Sequence, residues 1–242
     1  MQQISKKMHI SKAQIKLIRS LQHKKYRDEL GFFVAEGKKC IEELKKGFEL
    51  VLEVTPDNAT EAEIAQMSGL KTPQGTIAVF KKSAISDQQS EITLALDGVQ
   101  DPGNLGTIIR TCDWFGIKHI VCSNDTADCY NPKVVQATMG ALTRVQLTYT
   151  DLPKWLEQQK CPIYGTLLDG KNMYDCQLST TSHQQSAVIV MGNEGNGISE
   201  AARKYITHPI RIPSYPENAE TSESLNVAIA TAIVLAEFRR LG

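Results

Sequence analysis

No stretch of this sequence approaches the roughly 20 consecutive apolar residues that a membrane-spanning helix requires. The opening segment MQQISKKMHISKAQ also lacks the apolar core of a secretory signal. Both absences lead to the expectation of a cytoplasmic protein with no membrane partner. The six cysteines, at positions 40, 112, 122, 129, 161 and 176, form no CxxC pair and no Cys/His spacing suited to a metal. They read as reduced, mostly packing thiols, and no metal site is expected. Internal repeats and low-complexity tracts are missing too.

What is present is an ordinary globular composition, 41% hydrophobic and 22% charged over 242 residues, enough for one large domain or a large and a small one. Formal net charge is zero but unevenly placed. Residues 1–50 hold twelve Lys/Arg against six Asp/Glu, and the first 27 residues hold eight bases and no acid. Lys12, Arg19, Lys24, Lys25 and Arg27 form a candidate phosphate-binding footprint. A solvated charged face explains the same run nearly as well.

In residues 9–30, Ile10, Ile15, Ile18 and Leu21 recur at near-helical intervals, with Ser11 as N-cap. Strands are predicted at 31–35, 51–54 and 77–80, with helices through Cys40 to Leu44 and around 60–67, giving a small α/β unit. The polar, aperiodic KKSAISDQQSE after Phe80 reads as a linker. The predicted division is therefore 1–82, a linker at 83–91, and a second domain at 92–242. In that second domain, apolar runs at 92–96, 117–122, 145–149, 163–168, 186–191 and 208–212 alternate with helical segments near 104–115, 131–142, 151–159, 198–205 and 224–240. Such alternation predicts a parallel sheet covered on both faces, with ligands at the carboxyl ends of its strands.

Three loops there are rich in special residues. In DGVQDPGNLGTIIRTCDWFG (97–116), Pro102 and Gly103 set a turn and Asn104 is placed to cap the following helix. Arg110 projects from the side opposite Leu105, Ile108, Ile109 and Cys112, towards solvent or a substrate phosphate. In MGNEGNGIS (191–199) the glycine spacing is G-x-x-G-x-G, not the G-x-G-x-x-G of dinucleotide-binding folds. Glu194 in its middle would repel a pyrophosphate. The third loop follows the apolar run ending at Pro213, and Ser222, Ser224 and Asn226 then stand where a helix has unpaired N–H groups, as caps or as ligand contacts.

Taken in order, D-x-x-x-x-P-x-N-x-G-x-x-x-R, then G-N-E-x-x-G-I-S, then I-P…S-L-N-V-A-x-A resembles the SpoU/TrmH family of RNA ribose 2′-O-methyltransferases, over Leu94 to Phe238. KKYRDELGFFVAEG and TPQGTIAVF resemble the small ribosomal-protein-like substrate-binding domain that often precedes it. The resemblance implies a SPOUT α/β domain with a parallel sheet and a C-terminal trefoil knot, S-adenosylmethionine as cofactor, and a homodimer. It maps the family's functional polar set onto Asn104, Arg110, Glu194, Ser224 and Asn226. The methyl-donor pocket maps onto Gly192, Gly197, Ile212 and Leu225. The third motif departs from the family pattern, with a longer, glycine-free loop at 214–223.

Methyl transfer to a ribose hydroxyl requires the hydroxyl proton to be taken up, or the forming alkoxide to be stabilised, with both partners held in line. An arginine side chain stays protonated, so an electrostatic role for Arg110 is expected before a general-base one. Glu194 is expected to fix its loop or to bind a substrate group. The RNA expected first is ribosomal, then transfer RNA. A catalytically silent RNA-binding or ribosome-assembly protein of the same fold is the reading from a different class, and a nucleotide-dependent enzyme built on the glycine loop a third.

Overall fold

The computed structural model describes residues 9–82, 91–176, 186–216, 222 and 224–241. In chain order its elements are α1 (Lys12–Ser20), α2 (Lys24–Leu30), β1 (Phe32–Glu36), α3 (Lys38–Leu44), β2 (Leu50–Val54), α4 (Glu61–Met67), β3 (Ile77–Lys81), β4 (Ile92–Leu96) and α5 (Pro102–Trp114). There follow β5 (His119–Ser123), α6 (Pro132–Thr138), β6 (Gln146–Thr150), α7 (Leu152–Glu157), β7 (Ile163–Asn172), β8 (Ala187–Met191), α8 (Glu200–Arg203), β9 (His208–Arg211) and α9 (Val227–Leu241). Residues 83–90, most of the expected linker, lie outside the described residues, as do 217–221 and 223 of the long third-motif loop.

Two compact units emerge, residues 1–84 with 128–143, and 85–127 with 144–242. The first contains an antiparallel sheet in the order β1-β3-β2. Val34 pairs with Val79 and Phe33 with Phe80, so the pleat sends each pair to an opposite face. The valine face packs with Ile18, Leu21, Ile64 and Met67 from α1 and α4. Both helices open with a reciprocal capping box, Ser11 with Gln14 and Thr60 with Glu63. On the other face Phe33 touches Phe48, Phe80 and Tyr130 at centroid separations of 5.0, 5.6 and 4.8 Å. Tyr130 thus brings a segment remote in sequence onto this sheet, and α6 packs against β1. Residues 128–143, within the predicted 92–242 segment, group with the first compact unit.

The single helical stretch suggested for 9–30 is two helices, because His23 adopts an extended backbone (φ −100°, ψ 133°) that ends the first. Arg27, expected to meet RNA, is only 2% exposed. Its Nε and Nη2 donate to Asp128 Oδ2 at 3.0 and 2.7 Å, and Nη1 donates to the carbonyls of Leu21 and Gln22 at 2.9 Å each. Its donors are spent on the fold, so Arg27 is a structural residue.

The second unit is a six-stranded, all-parallel sheet in the order β6-β5-β4-β8-β7-β9. Ala95, Val121, Val188 and Val190 pack on one face with Leu152, Leu156 and Ala202 of α7 and α8. The opposite face meets α9, whose Phe238 lies edge-on to Tyr164 at 4.9 Å. Helices α5 and α9 pack together, and Arg239 Nε donates to the Phe115 carbonyl at 2.7 Å to pin their ends. The chain winds outward from β4 to β5 and β6, then returns to lay β8 on β4's other side. Strand order therefore reverses between β4 and β8, the place where an open α/β sheet leaves a crevice at its carboxyl edge.

Candidate active site

The loops after β4 and β8 are bound to each other by short polar contacts. Asp97 N donates to the Met191 carbonyl at 2.9 Å, and Asp97 Oδ2 accepts from Ser199 N at 2.7 Å. Gly98 is left-handed (φ 74°), and a side chain there would also press within 3.1 Å of Asp125. Its N–H donates to Ser123 Oγ at 2.8 Å and its carbonyl accepts from Asn193 Nδ2 at 2.7 Å. Asn193 Oδ1 in turn accepts from the N–H groups of Gly195 and Asn196. The backbones of Asn193 and Gly197 exchange a pair of hydrogen bonds, which folds the loop over Gly192. A Cβ on Gly192 would lie 2.2 Å from the Gly197 carbonyl carbon.

Asp101, and not Asn104, caps α5, accepting from Asn104 N at 2.8 Å with Pro102 at the first helical position. The reason is the turn chemistry of Asp-Pro, which starts the helix earlier than the loop composition suggested. Asn104, at the third helical position, does not use its side chain as the cap. Its Nδ2 donates to Glu194 Oε1 at 3.0 Å, and its Oδ1 accepts from Asn226 Nδ2 at 2.9 Å. Asn226 Oδ1 accepts from Ala228 N and Ile229 N, the first turn of α9. One polar line thus runs from the N-terminus of α9 through Asn226 and Asn104 to Glu194. Its direction is fixed, because only Oδ1 of Asn226 can accept from the helix.

Three residues expected from three separate loops are therefore brought together: Asn104, Glu194 and Asn226. Arg110 and Ser224 are not part of this line. Both are exposed, with no hydrogen-bond or ion-pair partner among the described residues. Arg110 lies six residues beyond Asn104, roughly 9 Å along α5. Gly197 is exposed and left-handed (φ 66°), and the space where its Cβ would stand is open. Ile212 is half-buried and Leu225 is 51% exposed. Asn193, Asp101 and Ser123 were not singled out from the sequence. An asparagine ahead of glycines and an Asp before Pro are turn signals that could have marked the first two. Among the described residues no group of three or more His, Cys, Asp or Glu could hold a metal ion, and no helix is long and apolar enough to cross a membrane.

The profile of the SpoU rRNA methylase family matches residues 91–236. The chain belongs to that family. The SpoU match spans all three loops, so the Asn104–Glu194–Asn226 line lies inside it. A second profile, the MRM3-like substrate binding domain, matches residues 12–55. Among relatives, the 23S rRNA (guanosine(2553)-2′-O)-methyltransferase RlmP of Bacillus subtilis is 29% identical over 240 residues, covering 91% of this chain and 94% of RlmP. A protein of Porphyromonas gingivalis assigned to the TrmH family of RNA methyltransferases has a solved structure with 39% identity and a TM-score of 0.85, over 96% of this SpoU chain and 99% of that one. An AdoMet-bound rRNA methyltransferase from Sinorhizobium meliloti has 30% identity and a TM-score of 0.82, over 96% of each chain.

Proposed function

We propose that this SpoU-family chain methylates a ribose 2′-hydroxyl of structured ribosomal RNA, with S-adenosylmethionine as donor, in the cytoplasm where ribosomes are made. The observation that supports it most is the Asn226–Asn104–Glu194 line at the strand-order reversal, formed by the family's own polar residues. The residues at the carboxyl edge fit the donor. Gly197 leaves open space beside its backbone, while the half-buried Ile212 and the exposed Leu225 offer apolar side chains. Gly192, Gly197, Ile212 and Leu225 would hold it, and when bound it supplies an electrophilic methyl group.

The chain's own contribution is orientation and charge. Arg110, exposed and without a partner among the described residues, binds the phosphate next to the target ribose and steadies the oxyanion that forms as the hydroxyl attacks. Glu194, held by Asn104, orients the hydroxyl, and Ser224 offers a further hydrogen bond at the mouth of the site. Lys12, Arg19, Lys24 and Lys25, all exposed, contact RNA phosphates and add affinity without base choice. The trefoil knot and the homodimer belong to the same reading. Trp114, Leu225 and Ile229 are 85%, 51% and 53% exposed, and a second copy of the chain would cover them.

The test is incubation with methyl-labelled S-adenosylmethionine and unmodified ribosomal or transfer RNA, then nuclease digestion and mass spectrometry of the nucleosides. Label is expected in a 2′-O-methylnucleoside from ribosomal RNA and lost with Arg110→Ala. Label on a base would overturn the ribose chemistry.

A further inference from the structure

Within the first unit, α1, the start of α2 and one side of α4 enclose an open groove of about 990 Å³. Lys12, Lys16 and Arg19 line it, at the i, i+4 and i+7 spacing that places them on one face of α1. All three are exposed, and none has a hydrogen-bond or ion-pair partner among the described residues. Like charges so spaced destabilise a helix, and an anion laid along that face relieves them. Glu63 is the acid of the lining, and its carboxylate is already engaged. Oε2 accepts from Thr60 N and Oγ1 at 2.8 Å each, and Oε1 lies 3.2 Å from His9 Nε2.

The lining also includes two rings. His23 and Tyr26 lie edge to face, 6.4 Å between centroids, and Tyr26 is 41% exposed. Lys25 Nζ stands 6.0 Å from the Tyr26 ring centre. A partly exposed aromatic ring beside cations is a platform for a nucleobase, and a base in a duplex has no free face to offer it. From Lys12 to Arg19, α1 rises about 10 Å, a run suited to on the order of two or three phosphates.

We propose that this groove holds an unpaired stretch of the RNA substrate, with phosphates along the Lys12, Lys16 and Arg19 face and one base stacked on Tyr26. The proposal deepens the RNA-methyltransferase reading and rests on it for the identity of the polymer. It separates the basic residues into two sets, since Arg27 belongs to the fold and Lys16, not among the sequence-based candidates, belongs to the groove.

The experiment titrates the full-length protein against fluorescein-labelled oligouridine and against a blunt RNA duplex, over a series of salt concentrations. For oligouridine, Lys16→Ala/Arg19→Ala should lower the slope of log affinity against log salt by about 1.4, at ~0.7 per lost contact. Lys12→Gln/Lys16→Gln, which preserves helix propensity, should do the same. Tyr26→Ala should weaken oligouridine binding by roughly 10- to 100-fold with the slope unchanged, and Tyr26→Phe should restore it. An unchanged salt slope in both double variants, or a Tyr26→Ala effect equal on the duplex, overturns the groove. Wild-type protein that methylates RNA while failing those tests would lose the groove alone. Groove-dependent RNA binding without any uptake of S-adenosylmethionine would keep the groove and defeat the methyltransferase reading.

Discussion

Asn226 does two things with one amide, capping α9 through Oδ1 and orienting Asn104 through Nδ2. Asn226→Ala should cost about 1 kcal/mol for the lost cap. Asn226→Asp keeps the cap, since a carboxylate accepts as well from the first turn. It cannot donate, however, so the amide of Asn104 would turn towards it and away from Glu194. Methyl transfer by Asn226→Asp should therefore fall ~100-fold at an unchanged melting temperature; wild-type transfer rates in this variant would show that the line has no catalytic role. Arg27 is the opposite kind of residue, with every described donor bond spent on the fold of its own unit. Arg27→Met should destabilise by about 3–5 kcal/mol, because Asp128, itself only 10% exposed, would be left charged and unpaired. Arg27→Met/Asp128→Leu should recover most of that loss in urea unfolding. Nothing local distinguishes Arg27 from Lys24 and Lys25 in the sequence: its partner is 101 residues away, and a side chain's burial cannot be read from its neighbours in a basic run.

At the level of elements, the loop Gly192 to Gly197 is closed by backbone contact, so its shape cannot absorb a methyl group. Gly192→Ala should leave the sheet intact by circular dichroism while abolishing the rise in melting temperature on adding S-adenosylmethionine. A full ligand-induced shift in that variant would mean that Gly192 serves packing alone. Strands β3, β4, β5 and β8 were legible because each is a short, mostly apolar run buried along nearly its whole length, whereas β2, β6 and β9 are largely exposed or half-buried. The helix starts were less so. Asn104 resembled a cap because asparagine is a good one, but Asp101 followed by Pro102 is better, and the displaced Asn104 side chain became available to the site. Helix α9 reads as apolar all round, yet its Ile229 and the preceding Leu225 are half exposed, and the proposed homodimer predicts that Ile229→Asp lowers the mass measured by light scattering from that of two chains to that of one.

Over the whole molecule, both units carry thiols held neutral by their surroundings. Burial pushes Cys40 up from an ordinary 9.0 to about 11, and burial raises Cys112 and Cys161 as well. Between pH 9 and 11 the folded chain keeps protons that the unfolded chain has lost. Stability is thus intact below about 9 and declines as pH rises, by ~3 kcal/mol for Cys40 alone. Unfolding free energies from pH 7 to 11 should show this fall, shallower in Cys40→Ala. The division into units was the least legible feature of the sequence, because the polar tract after Phe80 marks a boundary in composition and nothing in 128–143 marks a return. That return sets a timetable for synthesis. As the chain leaves the ribosome, Phe33 and Phe80 are paired on a sheet whose aromatic face has no Tyr130 until roughly fifty residues later, a delay on the order of several seconds at ordinary elongation rates. The first unit to emerge is the one that must wait, and its half-built sheet is where a nascent-chain chaperone would find its apolar foothold.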